Sequence, residues 1–253
     1  MSDSVQATDD KDRDRRFATT LAKGLNVLRA FAPSDRSLGN RELARRTGLP
    51  PSTVARMTFT LTRLGFLQQL KPDDSYCLGP AAMALGYTAR ARLSFLPTAE
   101  VLMQELADEV GALVALAMRD GEVAMLTRCW RPRNTPAIWL TEGHRLPLAR
   151  SSPGRAILAA RQSSPDDPAS VREDRSVLQS KGFLLSIGRW NENINACAVP
   201  FWPDPSQEPA AFLCGAHEDV LPQSLLEEKF GPLLLGRVRE LERSLGISEL
   251  RPL

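Results

Sequence analysis

Apolar residues recur at helical spacing through the first third of the chain, and further along they give way to short strand-like runs. Leu21, Leu25, Leu28 and Phe31 fall on one stripe and predict a helix over 19–32, ended by Pro33-Ser34-Asp35. A second helix is predicted from Asn40. With Gly39 as its N-cap, Glu42 falls at N3, and Leu38 and Leu43 take the two positions of a hydrophobic staple. Thr47-Gly48-Leu49 reads as a turn in which Gly48 is free to adopt positive φ. Pro50 and Pro51 suit the first turn of a third helix, where a missing N–H costs little. Its inner face is predicted to hold Val54, Met57, Thr58, Leu61 and Leu64, and Gly65 stops it. Residues 66–70, 71–75 and 76–78 then read as strand, polar turn and strand. Three helices and a hairpin in this order predict a winged helix-turn-helix closing at about Gly79.

Beyond Gly79 two helices are predicted, over 80–92 and 97–110. The first offers Met83, Leu85 and Tyr87, and the second Val101, Leu102, Leu106 and Val110. Their apolar faces fit either a spacer with a dimer contact or packing onto the chain's own C-terminal half. Leu113–Met118 and Glu122–Arg128 predict a hairpin around Asp120-Gly121, and Trp139-Leu140 a short strand. A helix over 152–160 has Pro153 and Gly154 in its first turn, and another is predicted over 171–181. Strands follow over 183–185, 194–201 and 209–214, with amphipathic helices over 221–245. Hairpin strands with helices to one side predict an α+β fold built on an antiparallel sheet.

Charge sharpens this division. The net charge is only +2, yet residues 11–71 hold 13 Lys/Arg against 4 Asp/Glu, a balance of +9, whereas residues 72–253 carry −4. A basic patch confined to the helix-turn-helix segment is what neutralising DNA phosphates requires. Residues 1–16 are polar, with charges of both signs and little to bury, and are read as a disordered arm. No apolar run reaches the roughly 18 residues of a membrane span, and the N-terminus lacks a signal-peptide core, so a cytoplasmic location with no membrane contact is expected. Cys77, Cys129, Cys197 and Cys214 are far apart and are expected as free, buried thiols rather than a disulfide set or zinc site.

The N-terminal turns of a recognition helix reach base edges, which selects Ser52, Thr53 and Arg56 for groove contact. Arg56 can fork onto a guanine, or alternatively clamp a phosphate. Arg41, Arg45, Arg46, Arg63 and Lys71 are assigned to backbone phosphates or to solvated surface. Catalytic signatures are absent: there is no G-x-S-x-G, P-loop, G-x-G-x-x-G or H-E-x-x-H motif. His144 and His217, the only histidines, lie 73 positions apart without ligand-type neighbours, so no metal, cofactor or catalytic residue is expected. Two rival readings are an enzyme with an accessory winged domain and an architectural DNA binder without a ligand. The second is disfavoured by the acidic balance of the C-terminal two-thirds.

In order and spacing the chain resembles the IclR family of bacterial transcriptional regulators over nearly its full length. The matching residues in the DNA domain are 43–49, Ser52-Thr53-Val54, Arg56, Leu61, Leu64-Gly65-Phe66 and Tyr76-Cys77-Leu78-Gly79. In the C-terminal half they are Gly143-His144-Arg145-Leu146-Pro147, residues 154–159, Lys181-Gly182-Phe183, residues 196–200 and Cys214-Gly215. The resemblance implies a winged DNA-binding domain (17–79), a linker helix (80–96) and a GAF-like effector-binding domain (97–253). It also implies homodimers, often paired into tetramers, on double-stranded operator DNA with inverted repeats. A small organic acid in the C-terminal pocket would alter DNA binding or RNA polymerase recruitment. It places that pocket at Ser152, Gly154, Arg189, Trp190, Asn193, Asn195, Phe212 and Cys214. Three departures from the family pattern stand out: Thr58 at a usually apolar position, Ser152-Pro153 where backbone amides are usual, and Arg189-Trp190 about where an acidic residue is common. With Trp190 there, the pocket is expected to favour an aromatic or larger acid.

Overall fold

The computed structural model describes residues 16–71, 73–204 and 208–247, so the arm expected over 1–16 lies, but for its last residue, outside the described residues. The chain divides into two units, residues 1–92 and 93–253.

The first unit runs α1 (Thr19–Arg29), β1 (Leu38–Gly39), α2 (Asn40–Thr47), α3 (Pro51–Arg63), β2 (Leu67–Leu70), β3 (Ser75–Leu78) and α4 (Pro80–Ala91). Gly39 is the extended N-cap of α2, and both staple residues, Leu38 and Leu43, are buried. Gly48 takes φ 68° at the turn, Pro50 caps α3 and Pro51 opens it. The wing is a true hairpin, Leu67 pairing with Leu78 and Leu70 with Ser75, and β1 adds a short third strand on β3 that the sequence pattern did not predict. Two apolar assignments are corrected. The buried face of α1 holds Gly24 and Val27, leaving Leu21 and Leu25 exposed, because the helix packs close to Met57 through Gly24. Leu64, expected on the inner face of α3, is exposed because the helix ends at Arg63 and the chain turns away there.

Thr58 is fully buried in α3. Its hydroxyl has one proton to share between Asn40 Oδ1 on α2, at 3.0 Å, and Val54 O one turn back, at 3.1 Å. The polar residue at this apolar-family position therefore ties α2 to α3. Thr58→Val should cost about 1–2 kcal/mol by stranding Asn40, and an urea unfolding series on the variant, with Thr58→Ser as the conservative control, checks this.

The second unit contains α5 (Leu96–Val110), β4 (Leu113–Asp120), β5 (Val123–Trp130), β6 (Arg145–Pro147), α6 (Ser152–Ala160), α7 (Ala169–Lys181), β7 (Leu184–Ile187), β8 (Ile194–Phe201) and β9 (Ala210–His217). It closes with α8 (Gln223–Leu225), a π-helical turn (Leu226–Phe230) and α9 (Gly231–Ser244). The six strands form one antiparallel sheet in the order β6-β5-β4-β9-β8-β7.

Helices cover both faces of this sheet, not one side as expected. On one face α5 and α9 pack through Met103, Leu106, Leu234 and Val238 against Val114, Leu116, Cys197, Phe212 and Cys214. On the other α6 and α7 pack through Ile157, Ala160 and Leu178 against Leu113, Ala115, Ala198 and Leu213. A sheet buried on both faces carries nearly continuous apolar strands rather than alternating ones. Two local expectations also change. Val101 of α5 is exposed, and Ala99, Met103 and Leu106 form its core face. Trp139-Leu140 is not a strand: Leu140 O is taken by the Arg131 guanidinium, Trp139 is 86% exposed, and the edge strand β6 comes later.

Candidate functional site

On α3 the outward face carries Ser52, Arg56, Phe59 and Arg63, all exposed, with Thr53 half-buried at its edge. The Arg63 guanidinium lies over the Phe59 ring at 5.3 Å, which holds its charge along the helix. Arg41 is exposed on α2, and Lys71 on the turn of the wing. Arg45 is exposed but bonded by Nε and Nη2 to both oxygens of Glu42, at 2.8 and 2.6 Å.

Arg46 has a different task from the one assigned by sequence. It reaches back to Ala30 O at 3.0 Å, to Asp35 at 2.5 and 3.0 Å, and to Glu42 at 2.7 Å, tying α2 to the end of α1. Hydrogen bonds from Arg45 and Arg46 hold the Glu42 carboxyl down to about 2, and that from Arg46 lowers Asp35. With its donors occupied, Arg46 is a strut. Glu42, at N3 of α2, spends its carboxylate on these arginines.

The second site is a cleft on the α6 face of the sheet, with about 350 Å³ of empty space including its open mouth. Its enclosed part is only about water-sized. One wall is the start of α6: Ser151, Ser152 and Pro153. The Ser151 hydroxyl caps the helix by accepting from Gly154 N at 3.3 Å, and Pro153 has no N–H, so the Ser152 amide is the donor left facing outward. The opposite wall is Ser186 of β7 with Trp190 of the β7–β8 turn, and the floor is Ile194, Ala196, Leu213 and Gly215. Ile138 and Leu140 close the side. The Ser152 and Ser186 hydroxyls, 3% and 4% exposed, have no hydrogen-bond partner among the described residues and border the cleft. Trp190 meets His144 edge-on at 6.3 Å between centroids, and burial holds the His144 imidazole below its usual pKa.

The structure brings together only some of the predicted pocket residues. Ser152 and Trp190 line the cleft, and Gly154 lies buried just behind Ser152. Phe212 and Cys214 do not reach it, because side chains alternate along β9 and these two enter the α5/α9 core. Leu213 and Gly215 take their place. Asn195 fails by the same parity on β8: it is buried on the far face with its amide donated to Leu221 O at 3.0 Å. Asn193 is an exposed turn residue, and the exposed Arg189 offers its carbonyl, not its guanidinium, to a neighbour. Sequence reasoning missed Ser186, whose one available signal was a lone hydroxyl within an apolar strand. Two of the buried thiols are poor nucleophiles: burial pushes Cys129 up to about 12, while a hydrogen bond with Cys197 and burial raise Cys214.

Among the described residues no helix is long and apolar enough to cross a membrane. The IclR helix-turn-helix domain matches residues 20–71, and the bacterial transcriptional regulator IclR C-terminal domain matches residues 88–172. A solved IclR family transcriptional regulator from Brucella abortus is 36% identical, with a TM-score of 0.76 over 92% of this chain and 95% of that one. The regulator TsaQ1/TsaQ2 of Comamonas testosteroni is 26% identical over 88% of this chain and 87% of its own length. An IclR homologue from Microbacterium hydrocarbonoxydans, solved in complex with 4-hydroxybenzoate, shares the fold at 19% identity and a TM-score of 0.68, covering 91% of this chain and 98% of that chain. With the winged unit and the two-faced sheet both accounted for, this chain is a transcriptional regulator rather than an enzyme, and it belongs to the IclR family.

Proposed function

We propose that the chain, acting in the cytoplasm as a homodimer or a pair of dimers, binds an inverted-repeat operator and responds to a small organic acid, aromatic by preference. The observation that carries the ligand class is the cleft itself. It sets one outward amide and two unpartnered hydroxyls, of Ser152 and Ser186, against a wall of Trp190, Ile194 and Leu213. A helix start with free donors favours a carboxylate, and the apolar wall favours a ring over a one- or two-carbon acid. The 4-hydroxybenzoate bound to the Microbacterium homologue supports the same chemistry. Thermal unfolding against a panel of monocarboxylates and their neutral amides tests it. A ligand at a hundred times its Kd stabilises by about 2.7 kcal/mol, whereas an architectural DNA binder would show no shift with any of them.

On the DNA side, α3 lies in the major groove with Ser52, Thr53 and Arg56 at base edges and Arg41, Arg45, Arg63 and Lys71 along the phosphates. Arg56 is exposed on that helix, and the structure gives it no side-chain partner. Arg56→Ala should weaken operator binding by about 1–3 kcal/mol and relax preference at one base position, leaving affinity for scrambled duplex much less changed. A gel-shift series over single-base operator variants reads this. Uniform weakening over all sequences would make Arg56 a phosphate contact.

A further inference from the structure

The cleft is tight for the ligand class proposed above. Its space clear of the walls is about water-sized, so a ring seated on its floor displaces one of them. Three walls are braced by the rest of the unit. The start of α6 sits against the Leu148 backbone, the floor belongs to the sheet interior, and the 131–144 segment is pinned through Arg131 on Leu140 O and Glu142 on Arg128 and Cys129 N. The fourth wall is the β7–β8 turn bearing Trp190. Its residues are largely exposed, and Gly188 within it takes φ 60°.

That turn is tied to the opposite wall by one side chain. Arg150, two residues before Ser152, donates from Nε and Nη2 to Arg189 O at 3.2 and 2.9 Å, bridging the rim from the α6 side to the Trp190 side. It has no carboxylate partner among the described residues. None of the cleft-lining residues carries a charge. A guanidinium bound only to a neutral carbonyl gains when a carboxylate replaces it, since charged pairs make the stronger hydrogen bonds. We propose that Arg150 is both the latch of the sensor cleft and its anion-binding residue. An entering acid displaces the Trp190 turn, and the Arg150 fork leaves Arg189 O for the ligand carboxylate. The resemblance placed the neighbouring cation Arg189 in the pocket instead, and that residue does not line the cleft.

The inference rests on the proposed reading of the cleft and is separable from it. Calorimetric titration would compare 4-hydroxybenzoate with 4-hydroxybenzamide, its neutral isostere, on the full-length wild type, Arg150→Ala and Arg150→Gln. The wild type should prefer the acid, and both variants should lose about ten- to a hundredfold in acid affinity. Amide affinity should hold or rise, because the latch is weakened while the apolar wall is intact. A purely structural role for Arg150 would lower both ligands together. Acid binding with an unchanged acid-to-amide ratio in the variants overturns the proposal and leaves the sensor reading standing. No binding of either compound, or of the wider acid panel, to the wild type overturns both.

Discussion

Gly154→Ala is expected to cost the C-terminal unit about 3 kcal/mol or more, the upper end for overpacking. A Cβ at this position would lie 2.1 Å from Leu148 O and 2.6 Å from Leu148 Cα. Both are backbone atoms, so no rotamer change relieves the clash. The Leu148 backbone is itself held, its N–H donating to Glu122 O in the β4–β5 turn at 3.2 Å. Shifting it would disturb the sheet edge or drag the start of α6 out of its cap. The measurement is simple because all four tryptophans, Trp130, Trp139, Trp190 and Trp202, lie in this unit. Urea unfolding followed by tryptophan fluorescence therefore reports it alone. A wild-type midpoint would show that α6 does not pack at this distance, and the cleft geometry would fail with it.

Asp174→Ala should be comparably damaging, at about 3–5 kcal/mol. The Arg155 guanidinium is buried between α6 and α7. It donates from Nε to Asp174 Oδ2 at 2.9 Å and from Nη2 to Oδ1, while Nη1 serves Leu185 O at 2.7 Å. Removing the carboxylate leaves a buried cation with one carbonyl for company. Replacing both partners, as Arg155→Met with Asp174→Leu, should restore most of the loss, because no charge is then left buried. The same fluorescence titration on the single and double variants decides this. A single-variant cost below about 1 kcal/mol would mean the pair is effectively solvated.

What the sequence made legible was local chemistry. Gly39, Gly48 and the Pro50-Pro51 step announced helix boundaries through backbone rules that hold whatever surrounds them. The Ser152–Ala160 helix and the Ile194–Phe201 strand fall at the predicted bounds for the same reason. What failed was parity and partner choice. β9 reads AAFLCGAH, and with both its faces buried the run carries no alternation to tell Leu213 from Phe212. Phe212 and Cys214, placed in the pocket by the resemblance, therefore lie on the side of the strand away from the cleft. Arg46 shows the limit of charge counting: its charge was counted in the basic segment, yet Asp35, eleven positions earlier, pairs with it once α1 and α2 are brought together. Charge counting sees composition, whereas only the fold says which cations remain free. Arg150 was passed over for that reason, having no motif and no carboxylate near it in sequence.

One titration decides whether the winged unit reads an operator: fluorescence anisotropy of the full-length protein on a duplex from its own promoter region, against a scrambled duplex, across a salt series. The basic N-terminal unit predicts binding to the promoter duplex at least about a thousandfold tighter than to the scrambled one, with both affinities falling steeply as salt rises. Equal affinity for the two duplexes, or binding indifferent to salt, would contradict it.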